Sequence, residues 1–263
     1  MKKVRLDTLL VERHLAHSRE RARALILGGK VRLVDQSSPS KPGTLVSPET
    51  ELTLVEPDHP YVGRGGIKLK HALQKFSIDV AGRDALDIGA STGGFTDVLL
   101  RCGARQVVAL DVGHGQLDWE LRQNPRVIVL ERVNARALER APLPDDLSRF
   151  DIVTIDVSFI SLTLILPGLP ARLNHRADLV ALVKPQFEAG RAEIGRGGIV
   201  RDPTVHARVI EQVVSAGDRL GLSRVNTVES PITGAEEIES SSCTLSVPKT
   251  LPQTVSQHEA VRN

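Results

Sequence analysis

Between residues 83 and 184 the chain repeats one pattern five times: a nearly unbroken aliphatic run that ends in or beside a polar residue. The runs are RDALDI, QVVALDV, RVIVLER, FDIVTIDV and DLVALVK. Runs with so little polar alternation are strands covered on both faces, as in a parallel sheet. Helical periodicity is expected at 94–102, 115–123, 160–172 and 203–219. Aromatic residues make up only 3% of the chain, so such a core must be aliphatic. The expectation is an α/β fold, an open doubly wound sheet with its ligand crevice beyond the carboxyl ends of the strands.

Residues 1–58 read as a separate small α+β unit. RLDTLLVERH (5–14) and SRERARALILGG (18–29) are helical, the second opening on Ser18 as N-cap and stopping at Gly28-Gly29. KVRLVD (30–35) and ELTLVEP (51–57) read as strands. Residues 1–33 carry nine Lys or Arg against three acids, a surplus of six in a chain whose net charge is +2. Arg19 and Arg23 stand four apart and share a helix face. A basic excess confined to one module suits a polyanion, and nucleic acid foremost. Residues 59–66 are the linker, 67–248 the second domain, opening on helix 67–76, and 249–263 a polar tail.

LDIGASTGGFTDVLL (86–100) is a strand, a glycine-rich turn and a helix. It is not the G-x-G-x-x-G of a dinucleotide site. An acid, Asp87, precedes the first glycine, Gly89, where it would repel a pyrophosphate. An acid there suits a cationic ligand such as S-adenosylmethionine. Asp111 ends the second strand and is placed for a ribose diol, Asn134 follows the third and suits an adenine edge, and Asp156 follows the fourth. Lys184 ends the fifth, where it turns into the crevice or reaches out to solvent.

RLDTLLVER with SRERARALILGGKV resembles the small RNA-binding domain first described in ribosomal protein S-four. YVGRGGIKLKHAL, LDIGASTGGFTD, LDVGHGQLDWELRQ, ERVNAR, DIVTIDVSFISL, LVKPQFE and SPITGAE resemble, in order, segments of the TlyA (hemolysin A) family. The resemblance implies a Rossmann-like, FtsJ-related methyltransferase. It implies S-adenosylmethionine as cofactor, no metal, and ribose 2′-hydroxyls of cytidines in ribosomal RNA, free or in assembled subunits, as substrate. It also implies a Lys-Asp-Lys-Glu tetrad, of which Lys68, Asp156 and Lys184 match three members. After SPITG the family runs to G-N-x-E, whereas this chain reads GAEEIESSSCTLSV. One deletion aligns Glu239 with the acid, and Glu237 is the alternative. Asp87, Gly89, Ser91, Gly93, Gly94, Asp111, Asn134 and Asp156 are the implied cofactor residues. Arg5, Arg13, Ser18, Arg19, Arg23 and Lys30 are the implied RNA contacts.

The implied chemistry is coherent. Methylating a hydroxyl needs alignment and removal of one proton. Lysine is a poor base at its ordinary pKa of about 10.4, and burial beside a second ammonium favours the neutral amine. Lys184 is therefore expected as base, Lys68 as its tuning partner and Asp156 as orienting acid. EAGRAEIGRGGIVRDP (188–203) is a basic glycine-rich loop, readable as an RNA cover or as a plain surface loop. An RNA-binding protein without catalysis stays open because of the altered C-terminal segment. Pore formation, which the older family name suggests, finds no run near the roughly 20 apolar residues of a membrane helix and no alternating barrel strands. Cys102 and Cys243 form no disulfide framework and the first residues, MKKVRLDTLLVERH, lack a signal-peptide core, so a cytoplasmic protein is expected. No oligomeric state is specified.

Overall fold

A computed structural model describes residues 3–16, 19–27, 30–34, 41–54, 59–144, 147–232 and 241–246. The chain divides into two compact units, residues 1–60 and 61–263. The first holds β1 (Val4–Arg5), α1 (Leu6–Glu12), α2 (Arg19–Leu27), β2 (Val31–Leu33), β3 (Leu45–Val46) and β4 (Leu52–Leu54). β2 and β4 pair antiparallel, with Arg32 opposite Thr53, and β1 pairs with β3, a pairing the sequence pattern does not signal. Leu6, Leu9 and Leu10 of α1 meet Ala22 and Ile26 of α2 over Val31, Leu33 and Val46. Ser18, expected as N-cap, and the expected stop at Gly28-Gly29 lie outside the described residues.

In the second unit α3 (Gly65–Phe76) leads into β5 (Asp84–Ile88), α4 (Gly94–Arg101), β6 (Gln106–Leu110), α5 (Trp119–Gln123), β7 (Val127–Leu130), β8 (Phe150–Ile155) and β9 (Leu173–Val183). α6 (Pro185–Glu188), α7 (Pro203–Asp218), β10 (Ser223–Glu229) and β11 (Ser241–Ser246) follow. The strand order is β10-β11-β9-β8-β5-β6-β7, with β5 to β9 parallel and β11 antiparallel to both its neighbours. Side chains alternate between two cores. Leu86, Ile88, Val108, Leu110, Val153 and Ile155 face α7 and its neighbours. Ala85, Val107, Ala109 and Ile152 face Leu69 and Leu73 of α3 and Val98 and Leu99 of α4. Both faces are thus buried, which is why the strands read as unbroken aliphatic runs.

Two expectations are corrected. Residues 160–172 are not one helix but three 3-10 turns, Leu162–Leu164, Leu166–Gly168 and Pro170–Arg172. Pro167 and Pro170 each lack an N–H and restrict the residue before them, so no continuous helical ladder forms. The helix expected over 115–123 is confined to α5, capped by Asp118, whose Oδ1 accepts from Glu120 N at 3.0 Å. Gly115, at φ +67°, keeps the preceding loop out of it. The antiparallel pair β10 and β11 is not evident from the sequence; the serine-rich SSCTLS is nonetheless a strand, because pairing with β9 and β10 is carried by the backbone. The polar tail 249–263 lies outside the described residues.

Phe150, fully buried at the start of β8, anchors the core beneath α7. Phe150→Ala should lower stability by about 3–5 kcal/mol, read as a shift of the denaturant midpoint without change of slope.

Candidate active site

β5, β6 and β8 pair in register, Ile88 beside Leu110 and beside Ile155. The residues that follow therefore emerge at one level. Gly89, Ser91, Asp111, Asn134 and Asp156 all line a single crevice of about 930 Å³, a volume suited to a nucleoside-sized ligand. Asp111 Oδ2 accepts from Ser91 N at 2.8 Å and Oδ1 from Gly113 N at 2.6 Å. Each oxygen keeps a lone pair for a further donor. Asn134 is exposed, and its Oδ1 caps the turn Ala135–Arg140 through Arg136 N at 3.0 Å.

The glycines serve close packing. Gly89 has φ +84°, and a Cβ there would lie 2.5 Å from the backbone oxygen of Asp156. Gly93 is buried against Leu117 and Leu121, and Gly94 against the backbone of Gly63 to Gly66, so neither lines the crevice.

Asp87 departs most from expectation. Leu86 and Ile88 face one core, so Asp87 between them faces the other, toward α4. It is 0% exposed. Its Oδ2 accepts from Thr96 Oγ1 at 2.7 Å and its Oδ1 from Thr154 Oγ1 at 2.9 Å. Burial pushes its pKa up to about 7 against the opposing pull of the two threonine hydroxyls. The carboxylate thus ties β5, β8 and α4 together beneath the loop and is not among the residues that line the crevice.

Lys68, Asp156 and Lys184 converge from α3, the end of β8 and the end of β9. Lys184 Nζ stands 2.6 Å from Asp156 Oδ1, an ion pair approached off the hydrogen-bonding direction. It donates a hydrogen bond to Ser158 Oγ at 3.0 Å. The start of α3 lies against the same acid, since a side chain on Gly65 would come within 3.7 Å of Asp156 Oδ2. Lys68 is buried. Its desolvation pushes its pKa below the ordinary lysine value, with Asp156 opposing and Lys184 reinforcing the shift. Glu237 and Glu239 lie outside the described residues.

Sequence reasoning missed Ser158, Phe159 and Phe187. Phe159 is 91% exposed at the crevice rim with φ +65°, a conformation an aromatic residue rarely takes. Its ring centroid is 5.1 Å from that of Phe187. An exposed aromatic in left-handed backbone is a signal of function, but the sequence alone does not reveal its φ. Arg191 of the glycine-rich loop also lines the crevice.

In the N-terminal unit, Asp7 is fully buried and gathers the arginines. Arg5 holds it with two hydrogen bonds, Nε to Oδ1 at 3.0 Å and Nη2 to Oδ2 at 2.8 Å. Arg19 and Arg23 approach Oδ2 at 3.4 and 3.7 Å. The Arg5 hydrogen bonds pull the Asp7 pKa down to about 2 against the effect of burial. Arg13 instead donates to the carbonyls of Thr50 and Pro48, bracing the 48–50 turn. Lys30 is half-buried beside β2.

Among the described residues no group of His, Cys, Asp and Glu is arranged to hold a metal ion, and no helix is long and apolar enough to cross a membrane. Residues 61–242 match the FtsJ-like methyltransferase family and residues 4–52 the S4 domain. The chain is 49% identical over 234 residues to the 16S/23S rRNA (cytidine-2′-O)-methyltransferase TlyA of Mycobacterium tuberculosis, covering 89% of this chain and 86% of that one. It is 39% identical over 233 residues to hemolysin A of Brachyspira hyodysenteriae, covering 89% and 95%. A solved structure from Streptococcus thermophilus that carries the name hemolysin superposes with a TM-score of 0.70 at 42% identity, covering 95% of this chain and 90% of that one. This chain, an S4 domain followed by an FtsJ-like methyltransferase domain, belongs to the TlyA family.

Proposed function

We propose that the protein transfers a methyl group from S-adenosylmethionine to the ribose 2′-hydroxyl of cytidine in ribosomal RNA, free or in assembled subunits. The observation that carries this reading is the meeting of Lys68 and Lys184 around Asp156, which lines the crevice. Two amines around one acid can accept and steer a proton, which is the enzyme's main chemical task once the reactants are aligned. The crevice suits a nucleoside cofactor: Asp111 offers acceptors for a ribose diol, Ser91 and Asn134 supply polar edges, and Asp156 places negative charge near a sulfonium. S-adenosylmethionine, when bound, supplies an electrophilic methyl group on a positively charged sulfur. With the cofactor bound, Lys184, as the neutral amine, would take the proton of the attacking hydroxyl, and Asp156 would hold that amine in line; the methyl's bond to sulfur would break as its bond to oxygen forms, leaving a neutral thioether. Lys68 lies buried beside the same acid, where desolvation favours its neutral amine. The exposed ring of Phe159 offers a face on which an unstacked base can lie.

We further infer that the S4 unit holds the RNA backbone through Arg5, Arg19 and Arg23, whose guanidinium groups are gathered on Asp7 while their side chains remain 43–57% exposed. Localisation in the cytoplasm, where rRNA is found, follows from this reading.

Methyl incorporation into rRNA, mapped by mass, tests the reaction itself. Lys184→Ala should bind cofactor and RNA but lose about two to four orders of magnitude in transfer rate. Lys184→Arg should not restore it, since a guanidinium stays protonated; near-normal turnover in that variant would move the base to Lys68.

Replacing Arg19 and Arg23 by alanine should reduce the log–log salt slope of RNA binding by roughly 0.7 to 0.9 for each phosphate that is no longer neutralised. An unchanged slope would mean that another face binds.

Asp87 gives a pH signature. Its folded pKa of about 7 lies above an unfolded value near 3.9, so the folded state binds the extra proton between them. Stability from this group is fully present below the unfolded value and is lost as pH rises toward 7. Asp87→Asn, neutral throughout, should flatten that fall in a series of denaturant titrations from pH 5 to 8.

A further inference from the structure

Glu188 ends α6, four residues after Lys184, and takes no part in the chemistry proposed above. It is 9% exposed. Burial pushes its pKa up, yet both carboxylate oxygens are used. Oε2 accepts from Ser161 Oγ at 2.6 Å and Oε1 from Leu162 N at 2.7 Å. Ser161 Oγ in turn accepts from Thr163 N at 3.2 Å and caps the turn Leu162–Leu164. All three hydrogen bonds belong to the far end of one loop, the loop that leaves β8 at Asp156. Its near end is fixed by the sheet through Asp156 N, which donates to Ile88 O at 3.0 Å. Between these anchors lie Ser158, which receives the Lys184 hydrogen bond, and Phe159, exposed and left-handed. The α6 turn and the loop are therefore sewn together at Lys184 and at Glu188, with the Phe159–Phe187 ring contact between the two stitches.

We propose that Glu188 is a positioning residue for methyl transfer: by clasping Ser161 and Leu162 it holds Asp156, Ser158 and Phe159 in register with Lys184. This rests on the reading of the site as an RNA methyltransferase. A left-handed phenylalanine persists only where its surroundings over-determine it, and the clasp is the nearest polar constraint on the loop's outgoing end. Glu188 is the residue between the reacting groups and an otherwise self-contained segment of backbone. Its loss frees the loop without opening the sheet, whose parallel pairings it does not touch.

The test compares Glu188→Ala, Glu188→Gln and Ser161→Ala in the full chain. Three quantities are read: single-turnover transfer of labelled methyl to rRNA, S-adenosylmethionine affinity by calorimetry, and hydrogen exchange of the amides of 157–164. Glu188→Ala should slow transfer on the order of 10- to 100-fold, the effect of small misplacement at a reacting centre, with faster exchange confined to that loop. Cofactor affinity should fall less than the transfer rate, because Glu188 itself does not line the crevice although the loop it holds does. Glu188→Gln, which keeps an acceptor for Leu162 N and a partner for Ser161, should recover most of the rate. Ser161→Ala, which removes one of the two bonds, should fall between them. Normal transfer by Glu188→Ala, exchange that rises throughout the domain, or a glutamine variant as slow as alanine overturns the assignment. A wild-type protein that binds the cofactor but methylates no rRNA overturns the functional reading instead, and this assignment with it.

Discussion

Parallel pairing in register is the constraint on which the site depends. With Ile88 level with both Leu110 and Ile155, three neighbouring strands end together, and the first residues beyond them are forced side by side. That is how Gly89, Asp111 and Asp156, dispersed over nearly seventy positions of sequence, come to line one crevice. The close fit of Gly89 against the backbone of Asp156 follows from the same arrangement, because β5 and β8 are adjacent and their outgoing turns nearly touch. One slipped residue in either pairing would exchange buried and crevice-facing side chains along the whole strand.

Beneath this level a second polar layer holds the loop. Asp87, Thr154 and Thr96 come from two strands and a helix, and each is fully buried. Asp87 and Thr154 are direct partners in the register of β5 and β8, and Thr96 reaches them from the first turn of α4. A buried acid satisfied by two hydroxyls is a costly but specific fastening, since an apolar replacement would leave both threonines without an acceptor. The turn above it is shaped from below, while its exposed groups remain available to a ligand.

Much of this is legible in the sequence. The five aliphatic runs carry the parallel sheet, and the polar residues at their ends carry the crevice. Asp87 is the exception among them. Its place near a strand end suggests that it lines the crevice, but the alternation of Leu86, Asp87 and Ile88 across the sheet turns its side chain to the helix face. The broken segment 160–172 shows periodicity overruled by two prolines, and β11 shows a strand made by its neighbours rather than by its own composition. The Glu188 clasp cannot be read from spacing at all: its partners lie 26 and 27 residues away, and the pairing exists only after β8 and β9 lie side by side.

The buried acid of the N-terminal unit has a consequence for how the two units respond to their surroundings. With the Asp7 pKa near 2 and arginines that do not deprotonate in proteins, the charge of this cluster is constant across the physiological range. The attraction such a cluster exerts on an anion is set by ionic strength and is indifferent to proton concentration. The crevice of the other unit is the reverse. The buried Lys68 beside it has been moved by desolvation below the ordinary lysine range, and being enclosed it is little screened by salt. The two units thus carry charged groups that answer to different solution variables.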